Sequence, residues 1–349
     1  MKGKVIIGLS GGIDSTIAAL ILKNQGYDVI GLHFSFLEDK YADRIEEISN
    51  RLKIPVITEN ISHDFELVKK HFANEYLQGR TPSPCTFCNK VIKWQKLKEF
   101  ADKNNCELIS SGHYIRKIFY KGFYHLQKGI DPVKDQSYFL WELDSETIKR
   151  MLTPLGNITK SRVRELAVEN GFADIGKSKE SMGICFLHNS DYRDFLKKYI
   201  PEKVDKIKSG NIKDEKNQLI GKHDGYLYYT VGQKRDLFLD KSREAYVSKI
   251  NPLYNELTIG TKESLNHYNI LLKDIHLINQ ENLFVNMKVM VNIRGFGLNP
   301  EKLAILRTIT SETIEVALES PAWAVAPGQP VVFYENDIVL GGGIAEKSW

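Results

Sequence analysis

The sequence predicts an α/β fold. An N-terminal parallel sheet flanked by helices leads into a helical extension and two small β modules, the last a barrel. Three observations carry this. Over the first hundred residues short apolar runs alternate with amphipathic stretches, the pattern of parallel strands joined by crossover helices. Residues 145–208 read as mostly helical and basic, with thirteen Lys and Arg against nine Asp and Glu. Beyond Gly210 the chain breaks into brief strands punctuated by Gly, Asn and Pro, as in small sandwiches and barrels.

Val5–Leu9 reads as a buried strand, and Ser15–Gln25 as a helix with apolar spacing at Ile17, Leu20 and Ile21. A second strand spans Asp28–Phe34 and a second helix Tyr41–Leu52. Pro55-Val56-Ile57 opens a third strand, followed by a helix over 65–77. A further helix is expected over Asn89–Ala101, and Leu108-Ile109 is one more strand. Sheets of this kind bind ligands at the carboxyl ends of their strands. Later strands are expected at Tyr226–Val231, Ala245–Ile250 and Leu257–Ile259. Hairpins are expected around Thr310-Ser311-Glu312 and Glu335-Asn336-Asp337. The expected divisions are 1–144, 145–208, 209–267 and 268–349.

At 349 residues, 42% of them hydrophobic and 26% charged, the chain is too long for one core and too apolar for disorder. No apolar run approaches the roughly 20 residues of a membrane span. The N-terminus lacks a signal peptide's apolar core, so a cytoplasmic protein with no membrane partner is expected. A net charge of +4 does not by itself identify nucleic acid as a ligand.

Ser10-Gly11-Gly12-Ile13-Asp14-Ser15 stands between the first strand and the first helix. Its glycines let successive N–H groups converge on phosphate oxygens, and the helix start reinforces that nest. Asp14 is a candidate ligand for Mg²⁺. A bare Gly-Gly pair would suggest only a tight turn, but the full string favours phosphate binding. Four cysteines occur: Cys85, Cys88, Cys106 and Cys185. In a large protein without need of disulfides, Cys85-Thr86-Phe87-Cys88 has redox or metal spacing. Pro82 and Pro84 are expected to hold an extended loop, with Cys88 just before a helix start that favours the thiolate. Cys106 reads as a buried filler.

The Ser-Gly-Gly-x-Asp-Ser string resembles the loop of enzymes that split ATP into AMP and pyrophosphate. With the thiols, the sequence resembles the bacterial tRNA-specific 2-thiouridylases along nearly its whole length. The matching strings are Gly8–Ser15, Gly79–Lys93, Ser111–Tyr114, Asp131–Leu140, Pro154–Gly156, Lys160–Ala167, Gly183–Phe186, Gly221–Gly225, Tyr229–Lys234, Pro327–Gln329 and Gly341–Gly343. The resemblance implies an ATP-pyrophosphatase domain and ATP-dependent transfer of sulfur to C2 of the wobble uridine of tRNA.

By position it implies ATP contacts from Gly8, Leu9, Ser10, Gly11, Gly12, Ile13, Asp14, Ser15, Phe34 and Gly112. It places Ser83, Pro84 and Cys85 near the target base, and Lys134, Asp135, Gln136, Arg294 and Gly295 on tRNA. Cys185 is implied as the persulfide carrier and Cys88 as the second thiol, ending as a Cys88–Cys185 disulfide. The sulfur donor would be a desulfurase, a relay protein or sulfide. Lys160, Arg162 and Arg164 are candidate phosphate ligands.

The sequence departs from the family's usual pattern at three places. Cys85 stands where Asp is common, Gly295 stands where Tyr follows Arg294, and the stretch between Phe34 and Tyr41 is shortened. The third thiol leaves two mechanisms open, a Cys185 persulfide or a [4Fe–4S] cluster on Cys85, Cys88 and Cys185. Zinc would need a fourth ligand that the sequence does not supply. An amidating ATP pyrophosphatase would have no use for the thiols. A non-catalytic RNA-binding relative would be expected to have lost the loop or a thiol.

Overall fold

The structure, a computed structural model, describes residues 2–36, 41–176, 183–187, 190–237, 245–295, 297 and 299–349. Most of the shortened stretch after Phe34 therefore lies outside the described residues, as do Ser181 and Met182. The chain divides into two compact units. Unit 1 comprises Met1–Val68, Cys85–Glu180 and Asp337–Leu340, and unit 2 comprises Lys69–Pro84, Ser181–Asn336 and Gly341–Trp349.

Unit 1 is built on β1 (Lys4–Gly8), α1 (Ile13–Asn24), β2 (Asp28–Ser35), α2 (Ala42–Leu52) and β3 (Val56–Asn60). There follow the start of α3 (Ser62–Leu77), then α4 (Pro84–Cys88), α5 (Trp94–Lys103) and β4 (Leu108–Ser110). A hairpin, β5 (Ile115–Tyr120) and β6 (Phe123–Lys128), precedes α6 (Ser145–Arg150), β7 (Met151–Leu152), α7 (Lys160–Glu169) and α8 (Ala173–Gly176). The sheet order is β3-β2-β1-β4-β7, with every pair parallel. Val5, Ile6 and Ile7 of β1 are all fully buried, as a strand covered on both faces requires. The apolar stripe of α2, Ile45, Ile48 and Leu52, joins Ile17, Leu22, Val163 and Phe172 in one core.

Unit 2 contains α9 (Tyr192–Tyr199), α10 (Pro201–Val204), β8 (Gly210–Asp214), β9 (Leu219–His223), β10 (Tyr246–Asn251) and β11 (Glu256–Gly260). These four strands form a sheet in the order β10-β11-β8-β9. Its core includes Phe72 and Tyr76 of α3, Leu196 of α9, and Ile212, Val247 and Leu257. Tyr226–Val231 is not the expected strand. A short 3₁₀ turn covers Tyr226–Tyr228, with Tyr226 and Leu227 both buried.

The last module runs through β12 (Asn266–Leu277), β13 (Lys288–Asn292), β14 (Ala304–Ile309), β15 (Ile314–Trp323), β16 (Pro330–Glu335) and β17 (Ile338–Ser348). The order β12-β15-β14-β13-β16-β17, closed by pairing of β12 with β17, makes a six-stranded barrel. Both expected hairpins are present. Thr310 Oγ1 accepts from the Thr313 N–H at 2.9 Å in one, and Asn336 adopts φ 55° in the other. No described helix is long and apolar enough to cross a membrane.

Candidate active site

The Ser-Gly-Gly loop leaves β1 at Gly8 and turns at Gly11, whose φ of +75° suits glycine. Gly12 is extended (φ −90°, ψ 160°) and starts α1. The loop closes on itself. The Ser10 N–H donates to Ser15 Oγ at 3.1 Å, and Ser15 Oγ donates to the Gly12 carbonyl at 3.0 Å. The α1 start thus lies at the carboxyl end of the central strand, with first-turn N–H groups that have no helical acceptor. Gly112, leaving β4, lies over it; a Cβ there would sit 2.7 Å from the Ser15 nitrogen. Only glycine permits that approach. Phe34 is half-buried near the end of β2.

Asp14 is held by two neighbouring donors. Its carboxylate accepts from Lys160 Nζ at 2.7 and 2.8 Å and from the Tyr114 hydroxyl at 2.6 Å. Lys160 is 5% exposed, and its own N–H donates to Asp131 Oδ2 at 2.9 Å. Lys160 is therefore a buried counter-charge to Asp14 and not the surface side chain expected on its helix. Arg162 pairs with Glu165 and Glu169 at 2.9 and 2.7 Å. Pairing of this kind on a solvated face is the ordinary fate of helix charges.

The loop carrying Lys134, Asp135 and Gln136 braces Tyr114. Gln136 Oε1 accepts from the Tyr114 N–H at 3.0 Å. Asp135 accepts from the Gly129 N–H at 3.1 Å and the Ser137 hydroxyl at 2.8 Å. Lys134 is half-buried beside them. His113 is held by Ser111 Oγ at 2.7 Å from Nδ1. Burial, then the nearby Lys93 charge, pushes its pKa down to about 3, so the imidazole is neutral at physiological pH.

The thiols sit differently from expectation. The helix begins at Pro84, not at Asn89, and runs through a π-turn over Asn89–Lys93 into α5. Cys85 therefore lies in the first turn and is exposed, while Cys88 is 6% exposed at the junction with the π-turn. The helix-start environment belongs to Cys85. Asn89, also buried, anchors the junction by donating from Nδ2 to the Phe139 carbonyl at 3.0 Å. Cys85 and Cys88 offer two donors for a metal or cluster. No group of three His, Cys, Asp or Glu side chains suited to a metal occurs among the described residues. Cys106 is buried with Sγ 3.7 Å from the Asn104 carbonyl, and burial pushes its thiol up.

In unit 2, the approach to the thiol helix is fixed by the barrel. Arg80 donates to Glu75 at 2.8 Å and Glu346 at 2.9 Å. The Thr81 N–H donates to the Pro327 carbonyl at 2.7 Å, and Gly328 (φ +92°) packs against Arg80 and Thr81. Ser83 and Pro84 follow. Cys185 opens a short turn, Cys185–Leu187, and is exposed. Its neighbour Phe186 anchors the turn with its ring centroid 5.2 Å from Phe72 and 4.9 Å from Phe195. Arg294 donates to the Trp323 and Ala324 carbonyls at 3.2 and 2.9 Å, with Gly295 beside it.

The fold and loop define a nucleotide-binding α/β domain followed by two β modules. Family models described as "tRNA methyl transferase HUP domain", "tRNA methyl transferase PRC-barrel domain" and "Aminomethyltransferase beta-barrel domain" match residues 3–189, 193–261 and 267–345. The chain is 41% identical over 351 residues to "tRNA-specific 2-thiouridylase MnmA 2" of Phocaeicola vulgatus, covering 98% of each. It is 36% identical over 364 residues to "tRNA-specific 2-thiouridylase MnmA" of Clostridioides difficile, covering 100% of this chain and 99% of that one. The chain belongs to the tRNA-specific 2-thiouridylase (MnmA) family.

Proposed function

We propose that this chain is a cytoplasmic ATP-dependent sulfurtransferase that converts the wobble uridine of tRNA to 2-thiouridine. The observation that carries the reading is the closed Ser-Gly-Gly loop under Gly112 in the same α/β unit as the exposed Cys85. The full-length match to relatives bearing the thiouridylase name supports it.

In this reading the triphosphate rests on Gly8–Ser15, with Phe34 and Gly112 beside the nucleotide. The C2 oxygen of the uridine attacks the α-phosphate, pyrophosphate leaves, and the base carries AMP on that oxygen. The outer sulfur of a Cys185 persulfide then attacks C2 and AMP departs. A second thiol, Cys88 or Cys85, attacks the Cys185 sulfur and frees the thiolated base, leaving a disulfide for external reduction. Ser83, Pro84 and Cys85 face the base. Lys134, Asp135, Gln136, Arg294 and Gly295 lie along the RNA, Lys134 and Arg294 supplying charge. A desulfurase or relay protein carrying its own persulfide passes the outer sulfur to the Cys185 thiolate and leaves as a thiolate.

The test is a reaction containing ATP, unmodified tRNA and a sulfur donor. AMP and pyrophosphate should form in step with 2-thiouridine. Release of ADP and phosphate would exclude the chemistry.

A further inference from the structure

The turn joining β10 to β11 does something unusual for a surface turn: it is pinned rigidly and yet displays apolar side chains. Leu253 is 83% exposed and Tyr254 is 68% exposed. Directly after them, Asn255 adopts φ 49° and ties the turn down in several directions. Its Nδ2 donates to the Lys208 carbonyl at 2.7 Å, and its Oδ1 accepts from the Tyr226 N–H at 3.3 Å. Its carbonyl accepts from the Asn211 N–H at 3.3 Å and from His223 Nε2 at 3.2 Å. His223 is 1% exposed, and its Nδ1 accepts from the Gly225 N–H at 3.0 Å. The Gly221–Gly225 string thus builds a support for this turn.

On the other side, Pro252 packs on Gly79, where a Cβ would meet its Cγ at 2.7 Å. Gly79 opens the Gly79–Ser83 segment that leads to the thiol helix. Ordering a turn this firmly lowers the cost of binding through the side chains it displays. Exposed Lys208 and Lys249 flank the tip and form no ion pair with any described residue, leaving positive charge for a polyanion.

We propose that Leu253 and Tyr254 form a stacking platform for an unpaired nucleobase of the anticodon loop, with Lys208 and Lys249 on its phosphates. This rests on the functional reading above and adds to it residues that hold a splayed base of the RNA. Sequence-tolerant recognition of single-stranded RNA combines aromatic faces with cationic flanks in this way. The contribution of the tip is to affinity and pose.

The experiment measures binding of a synthetic anticodon stem-loop RNA with uridine at the wobble position, by the full-length protein, across a salt series. Leu253→Ala/Tyr254→Ala should weaken binding about 5- to 150-fold, the range for loss of one stacked base. The slope of log affinity against log salt should not change, because stacking releases no counterions. Tyr254→Phe should bind like the wild type. Lys208→Gln/Lys249→Gln should instead flatten the slope. Equal binding by the Ala variant and the wild type would overturn the platform while leaving the functional reading intact. A weakened Ala variant with a flattened slope would also overturn it. A wild-type protein with no affinity for the stem-loop would overturn both.

Discussion

Lys160 shows what single residues in this chain conceal. In the sequence it is one of several basic side chains on a helix start. In the structure it is buried against Asp14, 146 residues away, and no local pattern announces a pairing over that distance. The two partners are not equivalent, because Lys160 is buried while the Asp14 side chain keeps 34% of its exposure. Asp14→Asn preserves shape but leaves an uncompensated buried ammonium, at a cost of about 3 kcal/mol. Lys160→Met leaves a carboxylate that still reaches water, at about 1 kcal/mol. Urea unfolding of both variants should give that order; equal losses would mean that Lys160 is solvated when the protein is free in solution. The phosphate loop itself was legible, because its glycines, serines and helix start are contiguous in the sequence.

At the scale of elements, the thiol helix was misread from a signal that was present. Ser83-Pro84 is a polar residue followed by proline, a common helix opening, but two prolines in three residues suggested an extended loop. The consequence is chemical, since the exposed first-turn position goes to Cys85 and the buried one to Cys88. The π-turn was not legible, because its stabilising contact is Asn89 with Phe139, on a separate element.

Two other local elements depend on neutral histidines. Burial, then Lys93, pushes His113 down to about 3, and burial likewise lowers His223, although its hydrogen bond to the Asn255 carbonyl and then Asp224 oppose it. The unfolded chain takes up protons near pH 6.5 while these folded sites do not. Stability is therefore fully present above about pH 6.5 and declines as pH falls. His113 alone should cost about 1.4 kcal/mol one pH unit below that point. Denaturant titrations across pH 5–8 should show this loss, and a loss smaller by about 1.4 kcal/mol at one pH unit below 6.5 in His113→Gln would identify that residue's share. A wild-type stability independent of pH over that interval would contradict it.

At the scale of the molecule, the parallel sheet and the strands and hairpins of the last module were legible because strand periodicity and turn residues are local, whereas the pairing of β12 with β17 that closes the barrel is not. The β5–β6 hairpin was missed although Lys121 and Gly122, both with positive φ, form the two-residue turn that favours hairpins. Its further pairing, Gln127 with Ile338, joins segments too distant for any sequence window. The same limit hid the hold of Pro327 and Glu346 on the Thr81 and Arg80 segment. That contact gives the Pro327–Gln329 string a structural purpose.

The account's central claim is that sulfur reaches the uridine through Cys185 after ATP has activated the base. The most direct measurement is mass-spectrometric quantitation of 2-thiouridine in tRNA incubated with ATP, a sulfur donor and either the wild-type protein or Cys185→Ser, with tRNA binding followed in parallel. The account predicts 2-thiouridine with the wild type and none with Cys185→Ser, while tRNA affinity is unchanged. Normal thiolation by Cys185→Ser would contradict it.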